Sequence, residues 1–178
     1  MARESLLTHV VVPVPAGAAL PGSLSPGCFG CGPENERGLQ LQFRLEGDLV
    51  VGDLHLVPWL GGGPGVAHGG ILATFLDELM GHAAMAHGIG AVTATFEIRF
   101  LRPTPIGSVL RGEAWLARRE GRKLWVEAEG RDGSGEACIE ARALYMAVGL
   151  EHFGEALKHI TEEQRARLQG FRSGEPYP

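Results

Sequence analysis

The run His68-Gly69-Gly70 is the segment best suited to chemistry, because it stands at the start of a predicted helix. Two glycines there let a ligand approach backbone N–H groups that have no partner inside the helix. The helix dipole adds a partial positive charge at the same place. This chemistry suits an oxyanion or a polarised carbonyl. The glycines could equally serve only to turn the chain into the helix, and their spacing does not separate the two interpretations.

Two adjacent carboxylates, Asp77 and Glu78, lie in the middle of the same predicted helix. We predict that Asp77 faces open space and acts as an ionised base or nucleophile, because acids are rarely buried without a partner. For Glu78 we predict an ordinary surface pair with His82, four residues further on. The neighbours of Asp77 on its helix face are all small: Ala73, Thr74, Gly81 and Ala84.

The spacing of His68 and Asp77 predicts an assembly. Nine residues of helix correspond to on the order of 13 Å, so the two cannot touch one small reacting group from the same chain. If both serve one site, the helix start of one subunit must lie beside the helix middle of another. The sequence therefore predicts a homodimer with two sites at a two-fold interface.

Hydrophobic periodicity indicates the elements that must position these residues. Apolar residues alternate with polar ones in six candidate strands, whereas residues 70–87 are apolar nearly all round, which is typical of a buried helix. We predict an α+β fold with an antiparallel sheet of five to six strands wrapped around one long central helix. The strands are predicted at 39–45, 49–57, 92–100, 110–118, 123–131 and 137–148.

We predict three segments along the chain: a loop-like N-terminal segment, 1–38, one folded domain, 39–149, and a partly helical tail, 150–178. The tail prediction rests on a capping box that begins at Thr161. A hydrophobic content of 44% excludes a mainly disordered chain, and a net charge of −5 argues against nucleic-acid binding. No run of about 20 apolar residues predicts a membrane span.

Three cysteines, Cys28, Cys31 and Cys138, are too few and too odd in number for a disulfide framework. Their number fits a reducing, cytoplasmic setting. Cys28 and Cys31 could form half of a zinc site or a redox pair, but no second such pair or matching pair of histidines follows. We therefore interpret them as part of a structural loop and predict no metal.

Through three features together, the sequence resembles the hotdog-fold thioesterases of the PaaI-like acyl-CoA thioesterase group. The features are His68-Gly69-Gly70 with Asp77 nine residues after His68, the strand at 92–103, and Cys28-Phe29-Gly30-Cys31-Gly32-Pro33 followed by Gly38-Leu39. The similarity covers roughly residues 28–148. It implies a hotdog fold, a homodimer that often pairs into a dimer of dimers, an acyl-CoA or acyl carrier thioester as substrate, and no cofactor.

The resemblance also implies roles for individual residues. The N–H of Gly69, together with that of Gly70, would polarise the thioester carbonyl, which His68 would position. Asp77 from the other subunit would act as base or nucleophile, and Thr93 would orient the attacking water. This chain departs from the pattern at Gly61-Gly62-Gly63, where some relatives carry an Asn or Gln as a second carbonyl donor.

Substrate contacts are predicted from charge and position. Arg99 and Arg102 are candidates for the phosphates of coenzyme A, and Phe75 for the acyl pocket. The missing donor keeps a second hypothesis open, a non-hydrolytic hotdog module that binds acyl-CoA. A hotdog hydratase is disfavoured because Asp77 lies in the middle of its helix.

Overall fold

A computed structural model describes residues 25–162 and residue 165. One α-helix and six β-strands make up its framework. The helix α1 spans Gly69–Ala86, and the strands are β1 (Phe43–Glu46), β2 (Leu49–His55), β3 (Ala91–Phe100), β4 (Val109–Glu120), β5 (Lys123–Arg131) and β6 (Ala137–Ala147). Two 3-10 segments, Pro58–Leu60 and Leu150–His159, complete the regular structure. No helix in this range is long and apolar enough to cross a membrane.

The six strands form one antiparallel sheet in the order β1-β2-β4-β5-β6-β3. Its inner face packs on α1, whose buried side chains join those of the strands in a single core. The predicted α+β class is confirmed. The buried residues of α1 are Leu72, Phe75, Leu76, Leu79, Met80, His82, Ala83 and Ala84.

A glycine on the central strand β4 sets how closely α1 approaches the sheet. A Cβ atom at Gly112 would lie 2.6 Å from the ring of Phe75 and 2.8 Å from Leu79. The Phe75 ring is therefore seated directly on the β4 backbone and is fully buried. A side chain at position 112 would push the helix away from the sheet.

The prediction of a strand from residue 39 is wrong at its start, since β1 begins only at Phe43. The Leu39 N–H donates to the Phe29 carbonyl, and the Leu41 N–H donates to the Gly30 carbonyl. Residues 39–42 are thus fastened to the cysteine-containing turn, although their alternating pattern resembles that of a strand. The described part of the N-terminal segment, 25–38, consists of turns.

The predicted capping box from Thr161 lies partly outside the described residues. The segment before it, Leu150–His159, is a 3-10 segment with a kink at Gly154. The partly helical tail therefore stays a prediction.

Among the described residues, strand β3 forms one edge of the sheet and pairs with β6 alone. All ten of its residues are half-buried or exposed, including Phe100, of which 56% is exposed. A register shift between Thr93 and Thr95 changes which side chains face α1. This edge carries the predicted site residue Thr93.

Candidate active site

The N-terminus of α1 presents one free backbone donor. His68 is the N-cap, and its Nδ1 accepts a hydrogen bond from the Gly70 N–H at 2.9 Å. The Gly70 N–H is therefore engaged within the chain, whereas the Gly69 N–H donates to no protein group among the described residues. Because Nδ1 accepts, a neutral His68 ring carries its proton on the exposed Nε2. Gly69 and the His68 ring together can supply two donors.

Gly62, the middle glycine of the run 61–63, packs against the backbone of His68. A Cβ atom at Gly62 would lie 2.8 Å from the Cα of His68. The His68 N–H also donates to the Leu60 carbonyl, at 2.8 Å, which holds the two segments together. Residue 62 therefore has no room for an Asn or Gln side chain.

An open cleft of about 410 Å³ lies beside the start of α1. Most of its lining is apolar, and Gly69 is part of it. The Thr104 side chain, also in the lining, is buried, and its hydroxyl has no hydrogen-bond partner in the described part of the chain. The lining residues are Val66, Ala67, Gly69, Leu72, Phe100, Leu101, Arg102, Pro103 and Thr104.

Asp77 is held by two hydroxyl groups. Thr93 Oγ1 donates to Asp77 Oδ1 at 2.9 Å, and the Tyr145 hydroxyl lies 3.0 Å from the same oxygen and 2.8 Å from the Asp77 main-chain oxygen. Within residues 25–162, Oδ2 accepts no hydrogen bond. One carboxylate oxygen is thus fixed and the other is available to water.

Tyr145 is a site residue that the sequence analysis missed. It lies on β6 directly opposite Thr93, and its ring passes close to Gly81. Part of the space predicted beside Asp77 is therefore filled by this ring. Burial, followed by the negative charge of Asp77, raises the pKa of Tyr145, so its hydroxyl stays protonated. The sequence did hold one signal for it: Tyr145 lies on a strand predicted to be largely buried, and a buried tyrosine hydroxyl needs a hydrogen-bond partner.

We expect Tyr145→Phe to lower kcat by about tenfold with little change in KM, because Asp77 loses one of the two groups that orient it. The free energy of unfolding should fall by about 1–2 kcal/mol. Steady-state kinetics on an acyl-CoA and chemical denaturation measure both effects. Thr93→Val should act in the same direction. An equal rise in KM for Tyr145→Phe would instead indicate a substrate contact.

The prediction for Glu78 is wrong. Its carboxylate turns toward the cysteine loop, with Oε1 3.3 Å from Cys28 Sγ, and the His82 ring bonds to the Glu78 main-chain oxygen at 2.8 Å. Burial is the main reason that the pKa of Glu78 rises to about 7. Burial likewise lowers the pKa of His82. Cys28 and Glu78 are 50 residues apart, so the spacing of residues within the helix could not predict their contact.

The predicted substrate residues occupy three different places. Arg102 lines the cleft, but its guanidinium pairs with Glu136 and Asp132. Arg99 lies away from the cleft, on the sheet, where it pairs with Glu140 at 3.1 Å. Phe75 is enclosed in the core, so its predicted contact with an acyl chain stays a prediction.

One chain does not bring the two halves of the predicted site together. Gly69 and Arg102 line the cleft at the start of α1, next to the N-cap His68. Asp77 and Thr93 lie beside the middle of the helix. Eight residues of helix, on the order of 12 Å, separate Gly69 from Asp77. The free donor and the free carboxylate oxygen can act on one carbonyl only if they come from different subunits.

Comparison with known proteins shows that this chain is similar to one protein family. Residues 64–139 match the family model described as the thioesterase superfamily. The chain is 41% identical to the mouse acyl-coenzyme A thioesterase THEM4 over 78 residues, which is 44% of this chain and 32% of that protein. The chain thus spans about a third of the length of this relative.

Two solved structures have a similar fold. The thioesterase superfamily protein RHA08564 superposes with a TM-score of 0.64 at 30% identity, covering 68% of this chain and 60% of that one. The Escherichia coli PaaI protein superposes with a TM-score of 0.60 at 21% identity, covering 66% and 88%. Fold and site define a hotdog protein, with a sheet packed around one central helix. Over residues 64–139 the chain is similar to the thioesterase superfamily.

Proposed function

We propose that this protein is an acyl-CoA thioesterase, which hydrolyses a thioester to a free acid and coenzyme A. The observation that carries the proposal is Asp77, whose Oδ1 is fixed by Thr93 and Tyr145 while Oδ2 stays open. The similarity to a relative named acyl-coenzyme A thioesterase supports the substrate class.

The proposed reaction uses both ends of the site. The Gly69 N–H and His68 Nε2–H bind the thioester oxygen and stabilise the negative charge that develops on it. Asp77 of the second subunit takes a proton from water, and the resulting hydroxide attacks the carbonyl carbon. The C–S bond then breaks, and coenzyme A leaves as a thiolate that takes the proton from Asp77. The remaining product is the carboxylic acid.

We propose that a homodimer forms the complete site. In the described part of the chain, the outer edge of the ten-residue strand β3 has no neighbouring strand, and Phe100 at its end is exposed. Together they offer a surface that a second copy can cover. Thr93 lies on this strand and donates a hydrogen bond to Asp77. A partner subunit at this edge would therefore lie close to both residues. Sedimentation at micromolar concentration should give a dimer or a dimer of dimers. A monomer under those conditions would contradict the shared site.

Hydrolysis of a panel of acyl-CoAs tests the function itself. We expect release of free thiol, measured with a chromogenic thiol reagent, from at least one member of a series of short, long and aromatic acyl groups. No release above the buffer rate from any member would overturn the proposal.

A non-hydrolytic acyl-CoA-binding module is the second candidate. It is favoured by Gly62, which leaves no room for the side-chain donor that some relatives use. Tight binding of an acyl-CoA in calorimetry, with no turnover of the same compound, would select it.

The proposed setting is the cytoplasm, which fits the small and odd number of cysteines. We propose that Arg102, which lines the cleft, binds the phosphates of coenzyme A. To do so, the phosphates would have to displace Glu136 or Asp132 from the Arg102 guanidinium.

A further inference from the structure

Three ligand-bearing side chains meet away from the proposed catalytic groups. Cys28 and Cys31 come from the N-terminal loop, and Glu78 comes from the middle of α1. Their sulfur and oxygen atoms all lie within 4.8 Å of one another. Cys31 is buried, whereas Cys28 and Glu78 are half-buried, so the cluster is open to solvent on one side.

The loop is folded around the Glu78 carboxylate. A Cβ atom at Gly30 would lie 2.2 Å from Glu78 Cγ, so only glycine fits between the two cysteines at that position. A Cβ atom at Gly32 would lie 2.3 Å from the Pro26 carbonyl oxygen. Both glycines are thus required by close packing, and the Gly32 N–H closes the turn on the Cys28 carbonyl.

The charges in the cluster call for a cation. The Glu78 carboxylate contacts the Cys28 thiol, and no ion pair joins it to a basic side chain among the described residues. A disulfide between the cysteines would leave Glu78 partly buried beside two sulfurs. A partly buried carboxylate without a cationic partner carries a desolvation cost, which a bound divalent cation would offset.

We infer that Cys28, Cys31 and Glu78 form a binding site for Zn²⁺. Two sulfurs and one carboxylate oxygen are ligands that zinc takes in a tetrahedral arrangement, and the half-exposed side of the cluster leaves its fourth position to water. Mg²⁺ and Ca²⁺ prefer sites made only of oxygen atoms. A bound ion would join the N-terminal loop to α1 at the residue next to Asp77. The inference stands independently of the proposed hydrolysis.

Cobalt titration of the full, reduced, chelator-treated chain tests the site. We expect one equivalent of Co²⁺ to give a sulfur-to-cobalt charge-transfer band and the visible bands of tetrahedral cobalt, which Zn²⁺ then removes. Zinc should bind with a Kd below about 1 μM and raise the Tm. Cys28→Ser and Cys31→Ser should each weaken binding at least tenfold and reduce the charge-transfer band, whereas Glu78→Gln should weaken binding and keep that band.

Cys138→Ser is the matched control. This third cysteine is buried on β6, where its sulfur lies 3.8 Å from Asp132, and its loss should change neither bands nor affinity. The site is overturned if wild-type protein with three reduced thiols shows no tetrahedral bands. It is equally overturned if the bands survive in both Cys28→Ser and Cys31→Ser. Because the readouts are spectra and Tm, a failure here and a failure of hydrolysis are separate results.

Discussion

Asp77→Asn is expected to lower kcat for acyl-CoA hydrolysis by roughly 10²–10⁴-fold. The amide oxygen of Asn can still accept from Thr93 and Tyr145, as Asp77 Oδ1 does, so the local geometry should be kept. The change removes the oxygen that would take a proton from water or attack the carbonyl. KM should therefore change little, which is the pattern for an interaction made only in the transition state.

Asp48→Asn provides the control for loss of a carboxylate, because Asp48 lies exposed in the turn between β1 and β2. Its kcat should equal that of the wild type. Thermal unfolding of both variants shows whether the fold is kept. If Asp77→Asn turns over within about threefold of the wild-type rate, Asp77 is neither base nor nucleophile, and the proposed mechanism is wrong.

The helix and strands that carry the site could be predicted from the sequence because the hydrophobic patterns that specify them lie within each segment. Apolar residues around the whole circumference of α1 indicated a buried helix, and strict alternation indicated the strands at β4, β5 and β6. His68 and Asp77 could be placed at the start and in the middle of one helix, and the length of that helix led to the prediction of a second subunit, which stays a prediction.

The contacts between distant segments could not be predicted. Glu78 meets Cys28 because the N-terminal loop folds over α1, and Tyr145 meets Asp77 because β6 lies beside β3 in the sheet. Strand order follows from the packing of the whole sheet, and no spacing within β3 or β6 encodes it. The same limit explains the start of β1: residues 39–42 alternate like a strand but bond to the cysteine loop.

Gly69→Pro is expected to lower kcat by roughly 10²–10³-fold, because it removes the one free backbone donor at the start of α1. Proline is tolerated at the first position of a helix, where its missing N–H has no helical partner. His68, which would precede it, has φ −68° and ψ 131°, the conformation that a residue before proline adopts. The fold should therefore survive while the donor is lost.

Gly69→Ala distinguishes the loss of the backbone N–H donor from the effect of adding a side chain at this position. A Cβ atom at position 69 would lie 3.4 Å from the ring of Phe100, an ordinary contact, and alanine keeps the N–H. Its kcat should stay within a few-fold of the wild type. Equal losses in the alanine and proline variants would show that bulk in the cleft, rather than the N–H, is what matters.

A mixed dimer then decides whether the two halves come from different chains. Pairing a Gly69→Pro subunit with an Asp77→Asn subunit gives one site that has lost both groups and one site that keeps both, if each site is shared. Differently tagged subunits allow this heterodimer to be isolated, and its activity should return to about half that of the wild-type dimer. If each chain held a complete site, every site in the heterodimer would carry one defect, and its activity would stay at the level of the two parent variants.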